Sequence, residues 1–310
     1  MSYFQIRTDL ALEAREFVQG ANGALHGIIV EEYVKEEGEL HVTKVQITTK
    51  NGSKILGKPM GTYITLEIPG LCEAGENSEV CLFHKEIAKE ISSHLKDLLP
   101  ERKKNMSILI VGLGNREVTA DALGPQVVEQ LLVNRHIIKE YGAMGSEGEE
   151  FLLISAIVPG VMAKTGMESA EIVKGIVKET LPDVVLVIDA LAARSIRRLN
   201  RTIQLSNTGI HPGSGVGNHR NAIDSKSLKI PVIAIGVPTV VDAATIVSDA
   251  MEKMYKERKE AVFLQARESM VFGELNNMYV TPKDIDITIK RVSHTLAEAL
   301  NLTFSSHKDQ

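Results

Sequence analysis

The chain has 310 residues with 44% apolar and 24% charged side chains, and its 35 basic against 40 acidic groups leave a formal net charge of −5. That balance fits one large or two ordinary globular domains, and its mild acidity argues against a protein that coats nucleic acid. Two cysteines, Cys72 and Cys81, cannot build a disulfide framework, and the most apolar stretch, residues 231–241, is too short to span a bilayer. The first residues carry Asp9 and Glu13 and no apolar signal-peptide core, so a cytoplasmic, reducing-compartment chain is expected.

Residues 26–34, 40–48 and 63–68 show partial alternation of apolar and polar side chains, which predicts half-buried strands. Val80, Phe83, Ile87, Ile91, Leu95 and Leu98 then recur at helical spacing, predicting one amphipathic helix before the basic linker Arg102-Lys103-Lys104. After that linker the pattern changes. Residues 107–111, 151–157, 184–188 and 231–235 are continuous apolar runs, as in strands buried on both faces of a parallel sheet. Helical patterns at 125–133, 167–180 and 243–256 separate them. The expected fold is therefore α/β, a doubly wound, mostly parallel sheet with helices on both faces over 105–310, joined to an N-terminal β-rich portion over 10–104.

Sites in open α/β sheets lie at the carboxyl ends of the strands, and three loops there are candidates. In VGLGNREVTADALGP, residues 111–125, Gly112 and Gly114 resemble a phosphate-cradling turn but lack the third glycine. Asp121 in this loop is either a helix N-cap or a working acid. Asp189 directly follows an apolar strand, where a carboxylate is costly unless paired with Arg194, capping a helix, or catalytic. The third loop, residues 207–220, holds Gly209, Gly213, Gly215 and Gly217 among His211, Ser214, Asn218, His219 and Arg220. That composition suits backbone approaching a ligand closely, or a surface loop. Two carboxylates at neighbouring strand ends suit acid–base hydrolysis, one holding a proton while the other activates water. No HExxH zinc motif and no G-x-S-x-G elbow occurs, and Gly213-Ser214-Gly215 has the wrong spacing.

The segments VGLGN-x-x-VT-x-DALGP, SAIVPGVMAKTGMES, VIDALAARS and TGIHPGSGVGN, in this order, resemble the germination protease family of endospore-forming bacteria. The likeness runs from Arg7 through Thr245 and resumes at residues 279–286 (YVTPKDID). It implies an aspartic-type endopeptidase of the spore core that degrades small acid-soluble spore proteins, with a fold related to hydrogenase-maturation endopeptidases. It places the functional aspartates on Asp121 and Asp189, requires no metal or cofactor, and implies a homotetramer with no direct nucleic-acid or membrane partner. It also implies a zymogen whose propeptide, residues 1–9, is removed by self-cleavage between Asp9 and Leu10. A terminal segment of that kind is expected to be loosely held. The glycine-rich loop, with Gly209, His211, Gly213, Ser214, Gly215 and Asn218, is expected to wall the substrate cleft, since extended peptides are gripped through their main chain.

The chain departs from the family pattern at Ala120, where proline is expected, at Asn207, where aspartate is expected, and in a shorter segment over 257–279. Two other classes remain open on the residues themselves. One is a metal-binding maturation-type endopeptidase using Asp121, Asp189 and His211 or His219. The other is a nucleotide-binding module built on VGLGN and PGSGVGN, against which the missing Walker lysine counts.

Overall fold

The computed structural model describes residues 8–20, 26–35, 40–72, 78–142, 151–212, 220–258, 275 and 278–305. Its strands are β1 (Ile28–Val34), β2 (His41–Ile47), β3 (Gly61–Glu67), β4 (Ser107–Gly112), β5 (Leu153–Ile157), β6 (Val184–Ala193), β7 (Thr202–Ser206), β8 (Val232–Asp242) and the short β9 (Tyr279–Val280). The helices are α1 (Ala11–Gly20), α2 (Lys50–Leu56), α3 (Ser78–Leu98), α4 (Leu123–Val128), α5 (Arg135–Tyr141), α6 (Met162–Thr165), α7 (Ser169–Thr180), α8 (Ser225–Leu228), α9 (Ala243–Arg258) and α10 (Ile285–Phe304).

Among the described residues the strands form one sheet in the order β1-β2-β3-β7-β8-β6-β4-β5, with β9 on the far end of β8. The pairs β4/β5, β4/β6 and β6/β8 are parallel, as the continuous apolar runs required. The pairs β1/β2, β2/β3, β3/β7 and β7/β8 are antiparallel, so the N-terminal strands extend the same sheet through β7 and make it mixed.

Helices cover both faces. On one, Ile91 and Leu95 of α3, Leu123 and Val127 of α4, and Ile289, Val292 and Leu296 of α10 pack on Ile110, Ile188 and Ile235 of the sheet. On the other, Val173 and Val177 of α7 and Leu228 of α8 pack on Val111, Val187 and Ala234. A smaller cluster joins Ala11 of α1 and Leu56 of α2 to Val45, Ile47 and Tyr63, on the same side as α1.

Two differences from the sequence pattern have physical reasons. Strands β6 and β8 outrun their apolar runs, because each remains paired with the other past the ends of β4 and β7, with a register shift between Leu191 and Ala192. Helix α4 begins at Leu123, so Pro125 lies in its first turn, where a missing N–H leaves no bond unmade.

Candidate active site

Strand β4 ends in a turn that folds back on itself at van der Waals contact. A Cβ at Gly112 would stand 2.4 Å from the Gly124 carbonyl oxygen, and one at Gly114 (φ +117°) would stand 1.9 Å from that of Asp121. The glycines that resemble a phosphate cradle are thus occupied by their own chain. They let the 3₁₀ turn Thr119–Asp121 lie on the strand end. The Thr239 hydroxyl, buried on β8, donates to the Ala120 carbonyl at 2.6 Å and ties that turn to the sheet. Asp121 does not cap α4, whose N-cap is Ala122 with no side-chain bond; its carboxylate instead accepts from the Asn115 N–H at 2.8 Å.

Asp189 stands in β6, in register with Gly236 of β8, and is 7% exposed. Its carboxylate accepts from the Ala190 N–H at 3.0 Å, while Arg194 pairs with Asp249 at 2.8 Å. Burial pushes the Asp189 carboxyl well above the ordinary aspartate range, and the nearby charges of Asp121 and Asp9 push it further. Burial also raises Asp121, opposed by the Asn115 N–H and by the charge of Arg220, which opposes the rise at Asp189 as well. The two aspartates are therefore electrostatic neighbours in unequal environments, the deeper one holding its proton more tightly.

Residues 8–13, the described start of the chain, reach the same place and are bonded there. Asp9 N–H donates to the Ala192 carbonyl at 3.0 Å, and the Asp9 carboxylate accepts from the Ala192 N–H at 2.9 Å, so Asp9 is pinned to β6. Leu10 is fully buried in the core beside Leu191. Glu13, 3% exposed, accepts from the N–H groups of Arg194 and Ser195 at 2.7 and 2.9 Å and anchors the first turn of α1.

The antiparallel strands contribute residues the sequence did not single out. The Lys58 ammonium, from the turn between α2 and β3, donates to the carbonyls of Thr8 and Asp9 at 3.2 and 2.9 Å. Burial lowers its pKa, and the carboxylates of Asp9 and Glu13 oppose that shift. Gln204 of β7 accepts from the Ala11 N–H at 2.7 Å and donates to the Asp9 carbonyl at 3.2 Å. Nothing in the segment TIQLS marks Gln204 as functional. The only legible hint is a polar residue placed where a strand interior should be buried.

Of the glycine-rich loop, Gly209 and the exposed His211 line a pocket with Asp9, Lys58, Gln204 and Gly236, whose lining includes neither Asp121 nor Asp189. Gly209 has a structural reason of its own: at φ +74° a Cβ would lie 2.3 Å from the Ile223 carbonyl oxygen, and the next residue, Ile210, bridges to Ile223. Gly213, Ser214, Gly215 and Asn218 lie outside the described residues, as does most of the short 257–279 segment. Asn207 accepts from the Thr62 N–H at 2.9 Å and closes the β3/β7 ladder, a task an aspartate oxygen performs equally well. Among the described residues no three His, Cys, Asp or Glu side chains converge as a metal site; His219 is not one of those residues. No helix among them is long and apolar enough to cross a membrane.

Comparison with known proteins agrees with the sequence motifs. A family model described as germination protease matches residues 7–269. The germination protease of Caldanaerobacter subterraneus subsp. tengcongensis is 46% identical over 96% of this chain and 93% of its own length. That of Priestia megaterium is 37% identical over 100% and 96% respectively. A solved [NiFe] hydrogenase maturation protease from Thermococcus kodakarensis aligns over 67% of this chain and 98% of its own, at 15% identity and a TM-score of 0.32, too distant to carry an argument. A family match across most of the chain, with relatives of this identity along nearly all of it, means that the chain belongs to the germination protease family.

Proposed function

We propose that the chain is an aspartic-type endopeptidase in which Asp121 and Asp189 share one proton. The observation that carries this reading is the buried Asp189 carboxyl, raised by desolvation and by the charge of Asp121 beside it. Asp189 keeps the proton and serves as general acid. Asp121, whose rise by burial the Asn115 N–H and Arg220 oppose, is the less buried partner; it takes a proton from water and directs the oxygen at the peptide carbonyl carbon. The substrates are small acid-soluble spore proteins, attacked in the spore core during germination by a homotetramer, as family membership suggests.

The chain is made as a zymogen and cut between Asp9 and Leu10. The fixed position of residues 8–11 supports this: they are held by Ala192, Lys58 and Gln204, with the Asp9 charge acting on Asp189. Incubation of wild type and Asp121→Asn with a small acid-soluble spore protein, followed by N-terminal sequencing of the enzyme at mildly acid pH, tests both parts. Fragments of the spore protein and a new terminus at Leu10, both missing with Asp121→Asn, are the expected result. An unchanged N-terminus alongside full activity refutes the zymogen reading, and full activity of Asp121→Asn refutes the carboxylate pair.

A further inference from the structure

We propose that Lys58 and Gln204 are catalytic donors that polarise the scissile carbonyl, and that the bond they hold in this structure is the chain's own Asp9–Leu10 peptide. This rests on the aspartate-pair reading above and adds its electrophilic half. The sheet register sets up the arrangement. Asp189 of β6 is opposite Gly236 of β8, and Gly236 is opposite Gln204 of β7, so the three lie side by side on one face. Strands are spaced about 4.8 Å apart, which puts the carboxylate strand and the amide strand roughly 10 Å apart at this row. Between them Gly236 has no side chain, and a Cβ there would meet Leu191 Cδ1 at 2.3 Å. The Leu191 side chain therefore lies over Gly236, in the row between Asp189 and Gln204.

Around one peptide unit the N-terminal segment is bonded to Lys58, Gln204 and Ala192. The Asp9 carbonyl receives Lys58 Nζ at 2.9 Å and Gln204 Nε2 at 3.2 Å. One residue beyond the bond, the Ala11 N–H donates to Gln204 Oε1 at 2.7 Å. Asp9 is fixed to Ala192 through its N–H and its carboxylate, at 3.0 and 2.9 Å. Two donors converging on one carbonyl oxygen, one of them an ammonium in a largely desolvated site, have the geometry of an oxyanion hole.

The hydrolysis closes as follows. A water oxygen bonds to the Asp9 carbonyl carbon, its proton passes to ionised Asp121, and the C=O π pair moves onto the oxygen facing Lys58 and Gln204. The pair returns, the C–N bond breaks, and the Leu10 nitrogen takes the proton of Asp189. The products are a carboxyl at Asp9 and an amine at Leu10, with one water consumed. A lysine that only pinned the segment would make the same contacts in the ground state but would not be needed when charge develops on the oxygen.

The test follows loss of residues 1–9 from the full-length chain by intact mass, as a first-order rate, in wild type, Lys58→Met and Lys58→Arg. The same substitutions are placed in Asp121→Asn protein, which stays uncut, to read hydrogen-exchange protection of the Leu10 and Ala11 amides. Lys58→Met is expected to slow cleavage about 10²–10³-fold, as loss of an oxyanion donor does, with protection retained and Lys58→Arg partly restoring the rate. A wild-type rate in Lys58→Met overturns the proposal. So does a loss of protection that parallels the loss of rate, because Lys58 would then only hold the segment. If wild type keeps residues 1–9 yet degrades added spore protein, the carbonyl contacts are not those of a substrate, and this proposal falls while the aspartate pair stands. If Asp121→Asn cuts itself at the full rate, the aspartate reading falls with it.

Discussion

The parallel half of the sheet, β5-β4-β6-β8, and the antiparallel half, β8-β7-β3-β2-β1, meet at β8 and carry different polar side chains near it. The parallel half supplies carboxylates: Asp121 just beyond β4, and Asp189 on β6 where it outruns β4. The antiparallel half supplies donors: Gln204 standing on the face of β7, and Lys58 in the turn entering β3. The N-terminal segment crosses the boundary, bonded to Ala192 on one side and to Lys58 and Gln204 on the other. The lesson is that the strand-end rule for open α/β sheets points to the two aspartates, while the donors that hold Asp9 come from elements that rule does not describe.

Each half can be broken separately. The largest effect is expected from Asp189→Asn: turnover on a spore protein falls by about 10²–10⁴-fold with the fold intact, measured as initial cleavage rate beside a far-UV spectrum. Gly114→Ala is expected next. Its backbone lies at φ +117° and its new Cβ would collide with the Asp121 carbonyl, so the turn must shift. Stability should drop by about 1–3 kcal/mol in urea unfolding, with activity falling alongside because Asp121 moves with the turn.

A third, smaller effect has the opposite sign. Because the folded Asp189 carboxyl titrates above its unfolded value, its contribution to stability is fully present below about pH 4 and is lost as pH rises through the folded value. Asp189→Asn should therefore stabilise the protein by about 0.5–2 kcal/mol at pH 8 and by less at pH 5, read from thermal melts at the two pH values. A melting point that falls at pH 8 would show Asp189 to be structural. The smallest effect belongs to Asn207→Asp, on the antiparallel side. The residue is exposed and its oxygen still accepts from Thr62, so stability and cleavage rate should each change by no more than about 0.5 kcal/mol.

The same division explains what could be read from the sequence. The runs at β4, β5, β6 and β8 are apolar on both faces and were legible as buried parallel strands. A charge directly after such a run, as at Asp189, is conspicuous because burial makes it costly. Helix α10 was not anticipated, although Ile285, Ile289, Val292, Leu296 and Leu300 repeat at helical spacing and are buried against α3 and α4. Strand β7 was missed because five residues, TIQLS, are too few to show a period, and Gln204 and Lys58 were missed with it. Their roles depend on which strands become neighbours, and that is fixed by β7 inserting between β3 and β8. The bonding of Asp9 was hidden for the same reason, since its partners Lys58, Ala192 and Gln204 are distant in the chain.

The central claim is that the β4 turn and β6 bring Asp121 and Asp189 into one coupled carboxyl pair. Titrating the aspartate side-chain carboxyl resonances by ¹³C NMR, in wild type and in Asp121→Asn, addresses it most directly. The account predicts that Asp189 titrates well above an ordinary aspartate in the wild type and moves down when the Asp121 charge is removed, while remaining raised by burial. An Asp189 carboxyl that titrates in the ordinary range, or that does not respond to Asp121→Asn, would contradict it.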